Sequence, residues 1–99
     1  MLRKFYHTLV RGGLQKYTVT INNPTGNSVI FQKQHEMFLE RMINPIQLFM
    51  PKDKFIFVRH ETESHCLQHK YIFYIHVDEI PLFEQRINHT IDAIKHKTH

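Results

Sequence analysis

The run His60-Glu61-Thr62-Glu63-Ser64-His65-Cys66-Leu67-Gln68-His69 brings three histidines, two glutamates and the only cysteine of the chain close together. Neutral imidazole and thiolate are the donors zinc prefers, so His60, His65, Cys66 and His69 amount to one tetrahedral set. Zinc or another transition metal is the one cofactor such a loop could hold. Three features weigh against it. The spacing H-x4-H-C-x2-H matches no common paired-ligand knuckle, the adjacent His65 and Cys66 tend to point apart, and a chain with nine histidines clusters some of them by chance. A solvated polar connection is therefore the first reading of this stretch and a metal site the second, with a redox or nucleophilic Cys66 behind both.

Other chemistry is thinner. His60 and His69 are expected at facing strand ends, which would set Asp53 opposite His76, a pair able to orient or charge the imidazole. His35 falls on the inner side of a helix, where a hydrogen-bonded boundary histidine is the ordinary finding. The chain has no phosphate-cradling GxxxxGK[ST], no GxGxxG, no HExxH and no nucleophile elbow. Nothing short in it names a reaction, although a small basic ribonuclease would need only a few groups that no motif reveals.

The elements that must position these residues follow from periodicity. Lys4 to Val10 and Gln15 to Ile21 alternate and are rich in aromatic and β-branched residues, with Arg11-Gly12-Gly13-Leu14 between them, which predicts a hairpin. With Gly12 and Gly13 central, Val10 faces Gln15, Thr8 faces Tyr17, Tyr6 faces Val19 and Lys4 faces Ile21. Tyr6, Thr8, Val10, Tyr17, Val19 and Ile21 then share a core face, while Arg3, Phe5, His7, Arg11 and Lys16 gather on the outer one. Ser28 to Phe31 reads as a short third strand. Phe31, His35, Phe38 and Met42 recur at helical spacing, which predicts a helix over 32–43 that stops at Asn44-Pro45. Ile46 to Met50 is expected as a short strand. Lys54 to His60 and His69 to Val77 are apolar at consecutive positions, as central strands covered on both sides would be. Asp78 can cap a last helix, with Ile80, Phe83, Ile87, Ile91 and Ile94 on one stripe.

The expected fold is a small α+β domain over 1–99, mainly an antiparallel sheet of five to six strands with two helices, in the order β-β-(β)-α-β-β-β-α. Ninety-nine residues suffice for one core and not for two. An internal repeat suggested by Lys16-Tyr17 and Lys70-Tyr71 is better read as two unrelated strands. No apolar run reaches the ~18 residues of a spanning helix, and no signal peptide opens the chain. The basic start alternates like a strand instead of showing the helical periodicity of a transit peptide. A single cysteine makes no internal disulfide, so a cytoplasmic protein is expected and the Asn88-His89-Thr90 sequon is read as incidental.

Charge supplies the clearest functional hint. Residues 1–35 hold Arg3, Lys4, Arg11, Lys16 and Lys33 and no acid, although the whole chain carries only +4. A single-signed region attracts polyanions. The first functional expectation is thus a non-enzymatic binding or regulatory module that contacts nucleic acid, with Arg3, Arg11 and Lys16 on phosphates and Phe5 and His7 as a stacking surface. The alternative is a protein-interaction or self-associating adaptor domain, a dimer for example, with no nucleic-acid role. A metal-binding protein using the 60–69 loop comes third. No membrane partner is expected.

Overall fold

The computed structural model describes residues 5–9, 13–62 and 64–98, the first of these segments by its backbone alone. Strand β1 (Phe5–Leu9) pairs with β2 (Leu14–Asn22); a helical run then leads to β3 (Phe55–Thr62), which turns back into β4 (Gln68–His76), and a long helix closes the chain. All pairings are antiparallel, in the spatial order β1-β2-β4-β3. The α+β class holds, but the described residues form four strands and not five to six, and side chains are described on three of them.

Both missing strands have become helix. Asn27 caps α1 (Ser28–Phe38), its Oδ1 accepting from the Ile30 amide at 3.0 Å, so Ser28 to Phe31 form the first turn of the helix instead of a third strand. The run does not stop before Pro45. A π-helical stretch, Leu39–Ile43, widens the turn, and the Asn44 amide donates to Leu39 O, five residues back. Proline lacks an amide and crowds the carbonyl one turn earlier, and a widened turn relieves both problems, so α2 (Asn44–Phe49) continues where a strand was expected.

The described helices pack on the core face of the sheet, and on the reverse face Thr18, Thr20 and Ile72 of the central strands are also buried. Tyr17, Val19, Ile21, Tyr71, Phe73 and Ile75 of the central strands meet Phe38, Met42 and Ile43 of the first helical run and Phe83, Ile87, Ile91 and Ile94 of α3 (Ile80–Thr98). The expected apolar stripe of the last helix is thus the one buried, although a short 3-10 turn over Val77–Glu79 precedes it and Asp78 is not its cap. Strand β3 lies at the sheet edge and is not covered on both sides; Ile56 and Val58 are exposed.

Register is where the sequence reading slips. The first hairpin pairs Phe5 with Val19, His7 with Tyr17 and Thr8 with Lys16, one residue away from the expected alignment. In the second hairpin Phe57 pairs with Phe73 but Arg59 pairs with Ile72, so Val58 is an extra residue, a β-bulge. Before it, Phe55 and Phe57 join the core; after it, His60 and Thr62 take the pairing positions opposite the inward residues Tyr71 and His69. His60 is therefore diagonal to His69 and not opposite it. Asp53 does not pair with His76, whose amide donates to Lys54 O and whose ring lies 3.6 Å from Asp78.

Candidate metal centre

Three elements, α1, β3 and β4, deliver one histidine each. The bulge at Val58 turns His60 toward the helical layer, the β4 register places His69 beneath α1, and helical spacing puts His35 one turn after Phe31. One nitrogen from each of His35, His60 and His69 lies within 4.8 Å of the others. The rings form a compact stack. His35 lies over His60 with centroids 4.0 Å apart and 11° between planes, and His69 lies against Phe31 at 3.7 Å and 11°.

Hydrogen bonds fix the edges of these rings. His60 Nε2 and His69 Nδ1 are 2.9 Å apart, and His35 Nδ1 is 2.9 Å from the Tyr71 hydroxyl. His69 is fully buried, and among the described residues its Nε2 has no hydrogen-bond partner of ordinary geometry, the Phe31 backbone being the nearest polar influence. A buried polar atom so weakly paired is costly, by up to ~1–3 kcal/mol. Tyr71 is fully buried beneath the stack, its ring 4.5 Å from that of His60.

Burial keeps all three imidazoles neutral. It pushes His69 down to about 3, with His60 and His35 adding to the effect and the Phe31 backbone opposing it. His60 is pushed down to about 4 by burial and then by His35. His35 is lowered by burial, with Glu36 acting against it. Burial likewise raises the Tyr71 phenol, which stays protonated. Neutral imidazole is the form that binds a metal, so protons do not compete for these nitrogens near neutral pH.

No family model, curated protein or solved structure matches this chain. Its chemistry is therefore read from its own residues.

Of the histidine loop, the fold brings His60 and His69 together and leaves His65 and Cys66 out of the cluster. His65 and Cys66 both take positive φ, 70° and 56°, in the turn between β3 and β4. Their backbone serves the turn: the buried Asn23 donates through Nδ2 to Cys66 O at 2.9 Å, and its amide donates to Leu67 O at 2.8 Å. Gly26 approaches so closely that a Cβ there would lie 3.0 Å from His65 O. His35 is the member that loop spacing misses. Its signal was present as an inward histidine on the stripe of Phe31 and Phe38, but linking it to His60 requires the bulge. Of the basic set, Arg3 and Arg11 lie outside the described residues, Phe5 and His7 stand on β1 opposite Val19 and Tyr17, and Lys16 pairs with Thr8 and Tyr74. Among the described residues no helix is long and apolar enough to cross a membrane.

Proposed function

We propose that the domain binds one divalent transition-metal ion through His35, His60 and His69. The observation that carries this reading is the convergence of three neutral imidazoles, within 4.8 Å of one another, on regular secondary structure. All-nitrogen donors suit zinc, copper or nickel and do not suit magnesium or calcium. In a tetrahedral site with bonds of about 2.0–2.1 Å the donor nitrogens stand about 3.3 Å apart. The His60–His69 pair, at 2.9 Å, needs to open only slightly to admit an ion where it now shares a proton. His35 has more to do. Its ring is stacked on His60, so their in-plane lone pairs run nearly parallel, and it must turn out of the stack to converge. Tyr71 then acts as an outer partner: accepting from His35 Nδ1 leaves Nε2 with the lone pair a metal uses. Three protein donors leave one tetrahedral position for water or a small ligand. The reading is of a metal-binding domain, and it assigns no reaction.

The test is chelator competition on the untagged protein with zinc, copper and nickel. One equivalent is expected to bind, with affinity lowered about 100-fold or more by His35→Ala and unchanged by His65→Ala combined with Cys66→Ser. Absence of stoichiometric binding sinks the reading. Loss of binding in the His65/Cys66 double variant with retention in His35→Ala would move the site to the loop. The basic set expected to contact nucleic acid, Arg3, Phe5, His7, Arg11 and Lys16, carries no second reading, because the hairpin register sets Phe5 and His7 on the face of the core residues Val19 and Tyr17 and sets Lys16, with Thr8, on the reverse face.

A further inference from the structure

Away from the histidines, the chain past the π-helical stretch presents Leu48 and Phe49 to solvent at 82% and 83% exposure, and α3 presents Leu82 at 64%. Exposed side chains of this size close together mark a surface with a use. Between α2 and α3 lies a mainly apolar cavity of about 370 Å³ whose walls include Ile46, Phe49, Leu82 and Phe83, together with Arg86 and His89. A second cavity of about 390 Å³ adjoins it and shares Arg86 and His89, adding Arg41 from the π-helical stretch. No acidic residue lines either cavity among the described residues. Among the described residues neither Arg41 nor Arg86 takes part in an ion pair.

An apolar slot that opens onto two unpaired guanidinium groups selects for a molecule with a hydrocarbon body and an anionic end. We infer that the α2–α3 groove binds a small amphiphilic carboxylate, its chain along Phe49, Leu82 and Phe83 and its head between Arg86 and Arg41. Both cavities fall in the ~300–1,000 Å³ range of small-molecule sites, and the guanidinium fork matches a carboxylate in two parallel hydrogen bonds. The concave shape suits a single free chain rather than a flat bilayer surface. The groove shares no residue with the histidine cluster, so it stands or falls independently of the metal reading.

The experiment is a titration of the whole protein with decanoate, below its aggregation threshold, followed by amide chemical shifts. Decanol and phosphatidylcholine vesicles serve as parallel probes. Saturable shifts confined to 41–50 and 82–93 are expected, with decanol binding about tenfold more weakly. Arg41→Gln with Arg86→Gln should weaken decanoate about tenfold and leave decanol unchanged; both arginines are exposed, so the variant keeps its fold. Equal binding of decanol and decanoate overturns the proposal. So do shifts at the same face that follow protein concentration, which would mean that a second copy covers it, and binding to vesicles without binding to free decanoate.

Discussion

At the histidine cluster every ring is stacked or hydrogen-bonded and one is fully buried, whereas in the α2–α3 groove large apolar side chains face solvent beside arginines that have no ion pair among the described residues. The first region depends on where the backbone delivers each residue. His60 belongs to it only because one extra residue in β3 changes which positions face inward. The second depends on composition: apolar walls with two cations would serve a similar ligand if any one wall residue changed. Register-dependent sites should be brittle and composition-dependent ones tolerant, and substitutions at the two places separate these behaviours.

The largest effect is expected from exchanging two neighbours, Arg59→His with His60→Arg. The same register then sets arginine opposite the inward Tyr71 and carries the imidazole to the reverse face. Metal affinity should fall about 100-fold or more, as for loss of a ligand, and stability should fall by about 2–4 kcal/mol through an inward charge and the loss of the His69 Nδ1 partner. Unchanged metal binding in the folded exchange variant would show that the register does not place the site. Acid is the next lever. Folded His60 and His69 resist protonation down to about 4 and about 3, against 6.5 for an unperturbed histidine. Between those values the unfolded chain holds more protons, so stability falls as pH falls through 6.5 and keeps falling toward 4 and then 3. Without added metal, the melting temperature should drop steadily from pH 7 to pH 5. A His60→Gln variant should show a shallower drop, and a wild-type profile flat over that range would contradict the burial of these rings.

How much of this was legible depended on the kind of signal. Alternation in β2 and β4 and the isoleucine stripe of α3 were plain, because burial on one side leaves a periodic trace. The residue types of the metal centre were equally plain at His60 and His69. Their partner was not, because a bulge leaves no periodic mark: Phe57-Val58 reads as a continuous apolar run whether or not Val58 is paired. The first hairpin slipped for a related reason. With Gly12-Gly13 as the assumed centre, alternation alone accepts either of two neighbouring registers, each giving a plausible face. The groove was hidden by Asn44-Pro45, which normally ends a helix and so recast the next five residues as a strand.

Proline substitution sharpens the comparison with a smaller effect. The π-helical stretch already carries the Asn44 amide to Leu39 O, so Pro45 causes little strain where it stands. Pro45→Ala should change stability by less than about 1 kcal/mol, far below the ~3 kcal/mol of an ordinary mid-helix proline. If the alanine lets the turn close to α-geometry, α2 rotates about its axis and Phe49 leaves the groove. Decanoate affinity would then fall while metal affinity stays constant, since α1 and both hairpin strands are untouched.

The smallest effects belong to the exposed apolar residues, and they separate a binding surface from mere exposure. Phe49 and Leu48 are adjacent and almost equally exposed, yet only Phe49 lines the cavity. Neither fills the core, so Leu48→Ser and Phe49→Ser should each change stability by no more than about 0.5 kcal/mol. Only Phe49→Ser should weaken decanoate, by a few-fold, because it removes ring surface from the wall that the chain would cover. The contrast with the histidine cluster is one of coupling: in the groove, function can change while stability does not, whereas at His60 or His69 the same side chain sets both. Equal loss of decanoate binding in Leu48→Ser and Phe49→Ser would mean that general surface hydrophobicity, not the groove, holds the amphiphile.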